Sequence, residues 1–199
     1  MNGEYIAPSI KVIENFIDYS DELISLVLDL PNEAWKLSMI ESHVDGYEGY
    51  ESAVRSSREI GISYALDRPK IFFDLAQRIY LAAKEYSNEN GFIFSHMENI
   101  NLLEYSQSEG FFDRHSDHGP KSPRSMSALL YLNDVETGGE TWFDKFNLNI
   151  KPEKGKLVLF PANYPYTHQA MPPISGKKYV VVTWFGQDLD RNIFEEYFK

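Results

Sequence analysis

Ser125-Met126-Ser127-Ala128-Leu129-Leu130-Tyr131-Leu132 is a short β-prone run, and Asn133-Asp134 follows it with residues that favour a turn. The same alternation of run and break recurs on both sides. Residues 91–94 and 99–105 precede it, and residues 141–143, 156–160 and 178–185 follow, with Gly138-Gly139 as a further punctuation. Short strands at this spacing predict a sandwich or jelly roll. Upstream the period changes. Residues 19–30 place Leu23, Ile24, Val27, Leu28 and Leu30 on one helical stripe, with Ser20 as the expected N-cap. Residues 70–83 repeat the pattern with Ile71, Phe72, Leu75, Ile79, Tyr80 and Ala83, and Pro69 suits the helix start. Residues 40–66, rich in Ser, Gly and Glu, read as a long loop with short strands at most. The expected fold class is mainly β (α+β): a jelly-roll core with flanking N-terminal helices. One domain is expected over 1–199, with helical support and loops in 1–88 and the core in 89–199.

Composition narrows the function. The 199 residues are 43% hydrophobic and 25% charged, which is the balance of a folded globular chain. Thirty acidic against 19 basic residues give a net charge of −11, so a phosphate backbone is repelled at long range and nucleic acid is a disfavoured partner. Zero cysteines exclude disulfides, thiolate metal sites and a cysteine nucleophile. The first thirty residues mix acids into every apolar stretch, and no window approaches eighteen uninterrupted apolar residues. The expectation is a cytoplasmic protein without a membrane partner.

The chemistry must then come from few residues. The histidines are His43, His96, His115, His118 and His168. In His115-Ser116-Asp117, an imidazole and a carboxylate two residues apart point to one face if the segment is a strand. The spacing alone decides nothing. His43-Val44-Asp45 repeats it, and His96 follows His43 by the same 53 residues that separate His168 from His115. Context separates the two sets, because Lys177 and Lys178 lie nine and ten residues beyond His168, whereas Tyr105 and Ser106 hold those offsets beyond His96. Two imidazoles and one carboxylate on one face of an octahedron leave three positions open, the arrangement of non-haem iron(II) oxygenases. A chelating 2-oxo acid fills two of them and dioxygen the third, and a nearby cation holds the distal carboxylate of the 2-oxo acid. Read separately, His115 and Asp117 also suit a structural pair in a non-catalytic barrel. His43 and Asp45 suit a solvated turn first and a loop covering the site second, and His118 is expected to be exposed, on the face opposite Asp117.

From Asn99 to Phe185 the chain resembles the iron(II)- and 2-oxoglutarate-dependent dioxygenases of the prolyl 4-hydroxylase type. The resemblance runs through Tyr105, Gly110 and Phe112, then His115-Ser116-Asp117, Arg124 and Leu130-Tyr131-Leu132-Asn133. It continues through Gly138-Gly139-Glu140-Thr141-Trp142-Phe143 and Gly155-Lys156-Leu157-Val158-Leu159-Phe160 to His168, Lys178 and Trp184. It implies a double-stranded β-helix of the cupin-like kind. It implies that His115, Asp117 and His168 are metal ligands for Fe(II), and that Lys178 anchors the 2-oxoglutarate co-substrate. Lys177 is the competing anchor; Trp184, six residues beyond Lys178 and on its strand face, favours Lys178. Tyr105 and Tyr131 match tyrosines that line the 2-oxoglutarate pocket, and Arg124 matches an arginine that contacts peptide substrate. Arg124, Trp142 and Trp184 are the residues expected to frame a peptide groove.

The activity so implied is hydroxylation of a peptidyl residue, proline to 4-hydroxyproline first of all, with O2 consumed, succinate and CO2 released, and ascorbate as supporting reductant. The alternatives are a 2-oxoglutarate oxygenase acting on another side chain or small molecule, and a metal-free jelly-roll binding module. The expected partner is a proline-containing protein or peptide.

Overall fold

Leu157–Pro161, Arg124–Tyr131, Lys178–Gly186 and Ile100–Tyr105 lie side by side in the middle of one large antiparallel sheet. The computed structural model describes residues 2–41, 48–49, 52–62, 69–119 and 122–187. Among these, the large sheet continues outward to Ile10–Ile13 and Glu4–Ala7 on one side, and to Arg58–Ile62 and Lys36–Leu37 on the other; His96–Met97 pairs with Lys178–Gly186. A smaller sheet runs Leu148–Ile150, Thr141–Phe143, His168–Ala170, Phe111–His115, Arg55–Ser56. Neighbours in both sheets are mostly distant in sequence, as a jelly roll requires. The mainly β double-stranded β-helix is thereby borne out.

The central strands carry near-continuous apolar runs because both faces of the large sheet are buried. Leu102, Leu130, Leu159, Val181 and Phe185 face one cluster, shared with the helices. Leu103, Tyr131, Val158, Phe160, Val180 and Val182 face the other, between the sheets. Alternate residues of one strand therefore belong to different cores. Each fully buried aliphatic side chain contributes about 1.5–3 kcal/mol. A one-residue slip of Lys178–Gly186 would drive Lys178 into the helix-side core, which pins the register.

Helix Lys70–Asn90 supplies most of the helix-side cover. Its buried residues Phe72, Leu75, Ala76, Ile79, Ala82, Ala83, Tyr86 and Ser87 recur at three- and four-residue intervals along one stripe. It runs a further two turns past the expected end at residue 83. The extra turns, Lys84 to Asn90, are polar except for Tyr86, whose buried hydroxyl donates to the Ser9 carbonyl (2.6 Å). Gly91, in left-handed conformation at φ 69, ends the helix. The expected strand at 91–94 is therefore a correction. Gly91 is the helix cap, and Phe92 and Phe94 pack against the helix-side core instead of entering a ladder. Ser20 is likewise not a cap but the first residue of Ser20–Leu28, fully buried, with Tyr19 at the cap position. Among the described residues of 40–62 lie the short strands Ile40–Glu41, Glu48–Gly49, Arg55–Ser56 and Arg58–Ile62. His43, Asp45 and Lys121 lie outside the described residues.

Candidate metal centre and its pocket

His115 ends the strand Phe111–His115, and Asp117 lies just past it, in a bend. The two side chains thus converge across a strand end, not along a continuous strand as the two-residue spacing suggested. His168 opens the neighbouring strand His168–Ala170 and pairs directly with His115 in the ladder. The ligand-type atoms of His115, Asp117 and His168 all lie within 4.8 Å of one another. His115 Nε2 is 3.5 Å from Asp117 Oδ1, and His168 Nε2 is 3.8 Å from Asp117 Oδ2.

The surroundings fix each donor. His115 Nδ1 lies 2.7 Å from the Asp113 carbonyl and His168 Nδ1 3.1 Å from the Tyr166 carbonyl. A carbonyl only accepts, so each Nδ1 carries a proton and donates it, which turns each Nε2 towards the centre of the cluster. This is the outer-partner arrangement that orients metal-ligating histidines. The Ser127 hydroxyl donates to Asp117 Oδ2 at 2.5 Å. Burial raises the Asp117 pKa, but the two imidazoles and Ser127 outweigh it and hold the carboxyl well below its usual range. Burial, with His115 second, pushes His168 down to about 4 against the opposing pull of Asp117. At neutral pH the set offers an anionic carboxylate and an uncharged His168 imidazole, the protonation states that a divalent cation requires. The residues present therefore fit an iron(II) ion.

These three residues line a partly open pocket between the two sheets. Lys178 forms part of its wall and is 1% exposed. Its Nζ donates to the Gly139 carbonyl at 2.8 Å and sits 4.3 Å from the Tyr105 ring centroid. Gly138 and Gly139 both take left-handed backbone, at φ 77 and 78, in the turn that delivers this carbonyl. Burial lowers the Lys178 pKa to about 7, with Glu140 acting in the opposite sense. Among the described residues no carboxylate lies within ion-pair distance of it. A buried ammonium with unspent donors in a pocket wall suits an incoming carboxylate. Lys177 is placed differently. Next along the strand, it points to the opposite sheet face and pairs with Glu104 at 3.1 Å, together with Arg58 and Tyr179.

Tyr105 and Tyr131 both line the pocket. Burial raises both phenols' pKa values, so both stay protonated; the Tyr131 hydroxyl donates to Thr141 Oγ1 at 2.6 Å. Trp184 lines the pocket too. Arg124 lies over its indole at 3.7 Å and gives two 2.7 Å hydrogen bonds to Glu98, so its guanidinium flanks the mouth without lining the cavity. Trp142 stands apart from the pocket. Thr141 and Phe143 point inward from that strand, and Trp142 between them faces away from the pocket. His118 is exposed as expected.

Three lining or supporting groups escaped the sequence reading. Ser127 was detectable, because it shares a strand face with Leu129 and Tyr131. Thr141 stood in the quoted motif without a role. Arg55, which lines the same pocket, gave no signal in its Ser-rich surroundings.

The fold and the site define a jelly roll with a candidate two-histidine, one-carboxylate centre at the mouth between its sheets. Comparison with known proteins agrees. Residues 100–186 match the model of the 2OG-Fe(II) oxygenase superfamily. The chain is similar to "Probable prolyl 4-hydroxylase 9" of Arabidopsis thaliana, 34% identical over 119 residues, a match covering 45% of this chain and 41% of that one. The chain thus matches less than half the length of that relative. Among solved structures, a Trichoplax adhaerens prolyl hydroxylase in complex with a hypoxia inducible factor oxygen degradation domain peptide aligns with TM-score 0.73 and 16% identity. That alignment covers 93% of this chain and 86% of the other. The viral collagen prolyl hydroxylase of Paramecium Bursaria Chlorella virus-1, in its 2OG complex, aligns with TM-score 0.67 and 18% identity over 92% and 98%. The resemblance to the prolyl 4-hydroxylase type of 2-oxoglutarate-dependent dioxygenase is borne out. Among the described residues, no helix is long and apolar enough to cross a membrane.

Proposed function

We propose that the protein is an iron(II)- and 2-oxoglutarate-dependent dioxygenase that hydroxylates a peptidyl residue, proline first of all. The observation that carries this reading is the pairing, in one pocket, of the His115–Asp117–His168 cluster with a buried ammonium that has no counter-ion among the described residues. His115, Asp117 and His168 would hold the iron, and Lys178 the distal carboxylate of 2-oxoglutarate. When bound, the metal with its 2-oxo acid supplies the oxidation of an unactivated C–H bond by O2, releasing succinate and CO2.

What the chain contributes is placement. The Asp113 and Tyr166 carbonyls keep both Nε2 atoms turned inward, and Ser127 keeps Asp117 from swinging out. Lys178 presents its charge in a dry wall formed with Val180, Val182 and Leu103, where a charge-assisted hydrogen bond is strengthened by the low local dielectric. Tyr105 and Tyr131 exclude water beside it. Trp184, covered by Arg124, which Glu98 holds in place, forms an aromatic and charged shoulder at the mouth, a surface suited to an extended peptide. Support for a peptide comes from the relatives' names and from the Trichoplax structure, which holds a peptide. The reading treats 1–199 as one catalytic domain, supported by Arg55 of the first half reaching the same pocket wall. Ascorbate enters the proposal as the reductant that keeps the iron ferrous.

Succinate formation by purified protein with iron(II), 2-oxoglutarate and ascorbate, with and without a proline-rich peptide, tests the reading. Peptide-stimulated succinate with one oxygen atom added to the peptide is expected. Turnover without peptide modification would move the substrate to another side chain or a small molecule. A folded protein that takes up no iron and shows no turnover would favour the metal-free binding module.

A further inference from the structure

The two histidines of the cluster are held by unequal surroundings. His168 is buried between Phe143 and Phe160, with ring centroids 5.4 and 5.0 Å away, both in the inter-sheet core. His115 sits at the rim with its side chain 15% exposed. Its hydrogen bond to the Asp113 carbonyl fixes one atom, Asp117 Oδ1 lies 3.5 Å from its Nε2, and the His168 ring meets it at 4.3 Å and 55°. The broad face of the imidazole lies on Phe112, which stacks on it at 3.5 Å between centroids and 16° between planes. Phe112 is itself only partly buried. With the imidazole on one ring face, the other is left to Arg55, whose guanidinium carbon lies 4.5 Å from the Phe112 centroid.

Arg55 is held by three polar partners. Its Nε donates to Ser57 Oγ (3.1 Å), one terminal nitrogen to the Met39 carbonyl (2.8 Å), and the other to Glu59 (3.4 Å). The strand Arg55–Ser56 pairs with Phe111–His115, placing Arg55 directly opposite Phe112. A planar guanidinium held by three partners is a rigid slab, and its attraction to an aromatic face is both electrostatic and dispersive.

We infer that Arg55 is a positioning residue: it clamps Phe112 against the His115 imidazole and so fixes the plane of that metal ligand. The inference rests on the proposed role of His115 and assigns to the first half of the chain a part in building the centre. His168 needs no such device, because the core already encloses it.

The test is cobalt(II) titration of the full chain, read by visible absorption, alongside the imidazole ¹⁵N resonances of the metal-free protein. Arg55→Met keeps the stem and removes the slab. It is expected to weaken cobalt binding about 10-fold, the scale of an outer partner of a ligand. It is also expected to shift or broaden the His115 resonances while those of His168 stay put. Phe112→Leu is expected to do the same, and adding Arg55→Met to it is expected to cost nothing more, because the two act through one stack. If Arg55→Met does not fold, Arg55→Lys, which keeps the charge without the plane, takes its place with the same expected loss. Wild-type affinity and unchanged His115 resonances in a folded Arg55 variant overturn the inference while leaving the metal site standing. Failure of the folded wild type to bind cobalt overturns the metal reading itself, and the inference with it.

Discussion

The large sheet has two faces made from the same strands, and they do different work. On Lys178–Gly186, Tyr179, Val181 and Phe185 face the helices, where the neighbours are aliphatic side chains and the Glu104 ion-pair cluster. Lys178, Val180, Val182 and Trp184 face the smaller sheet and line the pocket. The helix face is satisfied: its apolar groups are packed, and Glu104 is matched by Arg58 and Lys177. The pocket face carries a buried ammonium and a three-donor cluster that the chain itself does not complete. Stability and ligand binding should therefore separate by face, one residue apart along a single strand.

The largest expected effect is on the pocket face. Asp117→Ala removes the anionic donor and should abolish metal binding and turnover, beyond the ~10–100-fold that outer partners cost. Circular dichroism should show the fold retained. Lys178→Met comes next. Loss of a charge-assisted hydrogen bond of about 1.5–3 kcal/mol should weaken 2-oxoglutarate binding by roughly 10–100-fold in calorimetry. Lys177→Met, on the other face, should leave that affinity nearly unchanged. Equal losses in both variants would break the comparison.

The same lysine gives a pH signature. Its folded pKa of about 7 lies below the unfolded value of 10.5, so the unfolded chain binds the extra proton between those limits. The cost of burying the ammonium is felt in full below pH 7, and stability attributable to this group rises with pH from there towards 10.5. Without 2-oxoglutarate, wild-type Tm should increase from pH 7 to 9 relative to Lys178→Met, which lacks this term. A parallel pair of Tm profiles would contradict the placement of Lys178.

On the helix face the effect is on folding alone. Leu75→Ala empties a fully buried site in the helix-side core and should cost about 2–5 kcal/mol in denaturant unfolding, with metal affinity unchanged. The smallest expected change is Ser127→Ala, which removes one hydrogen bond to Asp117. Metal affinity should fall by up to ~10-fold at unchanged stability.

The two faces also explain what could be read from the sequence. Runs such as 156–160 and 178–185 were legible because both faces are buried, and the expected strands agree with Leu157–Pro161 and Lys178–Gly186 to within one residue. Arg55–Ser56, Phe111–His115 and His168–Ala170 were not, since strands this short and this polar exist only through pairing with distant partners. Phe92 and Phe94 read as a strand because aromatic residues favour one, yet they close the end of a helix. At the site, His115, Asp117, His168 and Lys178 were legible from spacing and resemblance, and the structure places all four around one pocket. Trp142 falls on the strand face turned from the pocket, a placement the strand alternation sets. Arg55 was out of reach, because its stack on Phe112 is made by tertiary pairing alone.

The central claim is that the pocket face holds one iron and, through it and Lys178, one 2-oxoglutarate. Anaerobic titration of iron(II) followed by 2-oxoglutarate, on wild type and Asp117→Ala, tests it most directly. The account predicts one iron per wild-type chain, 2-oxoglutarate binding that depends on that iron, and neither in Asp117→Ala. A folded wild type that takes up no iron, or an Asp117→Ala variant that binds it equally well, would contradict it.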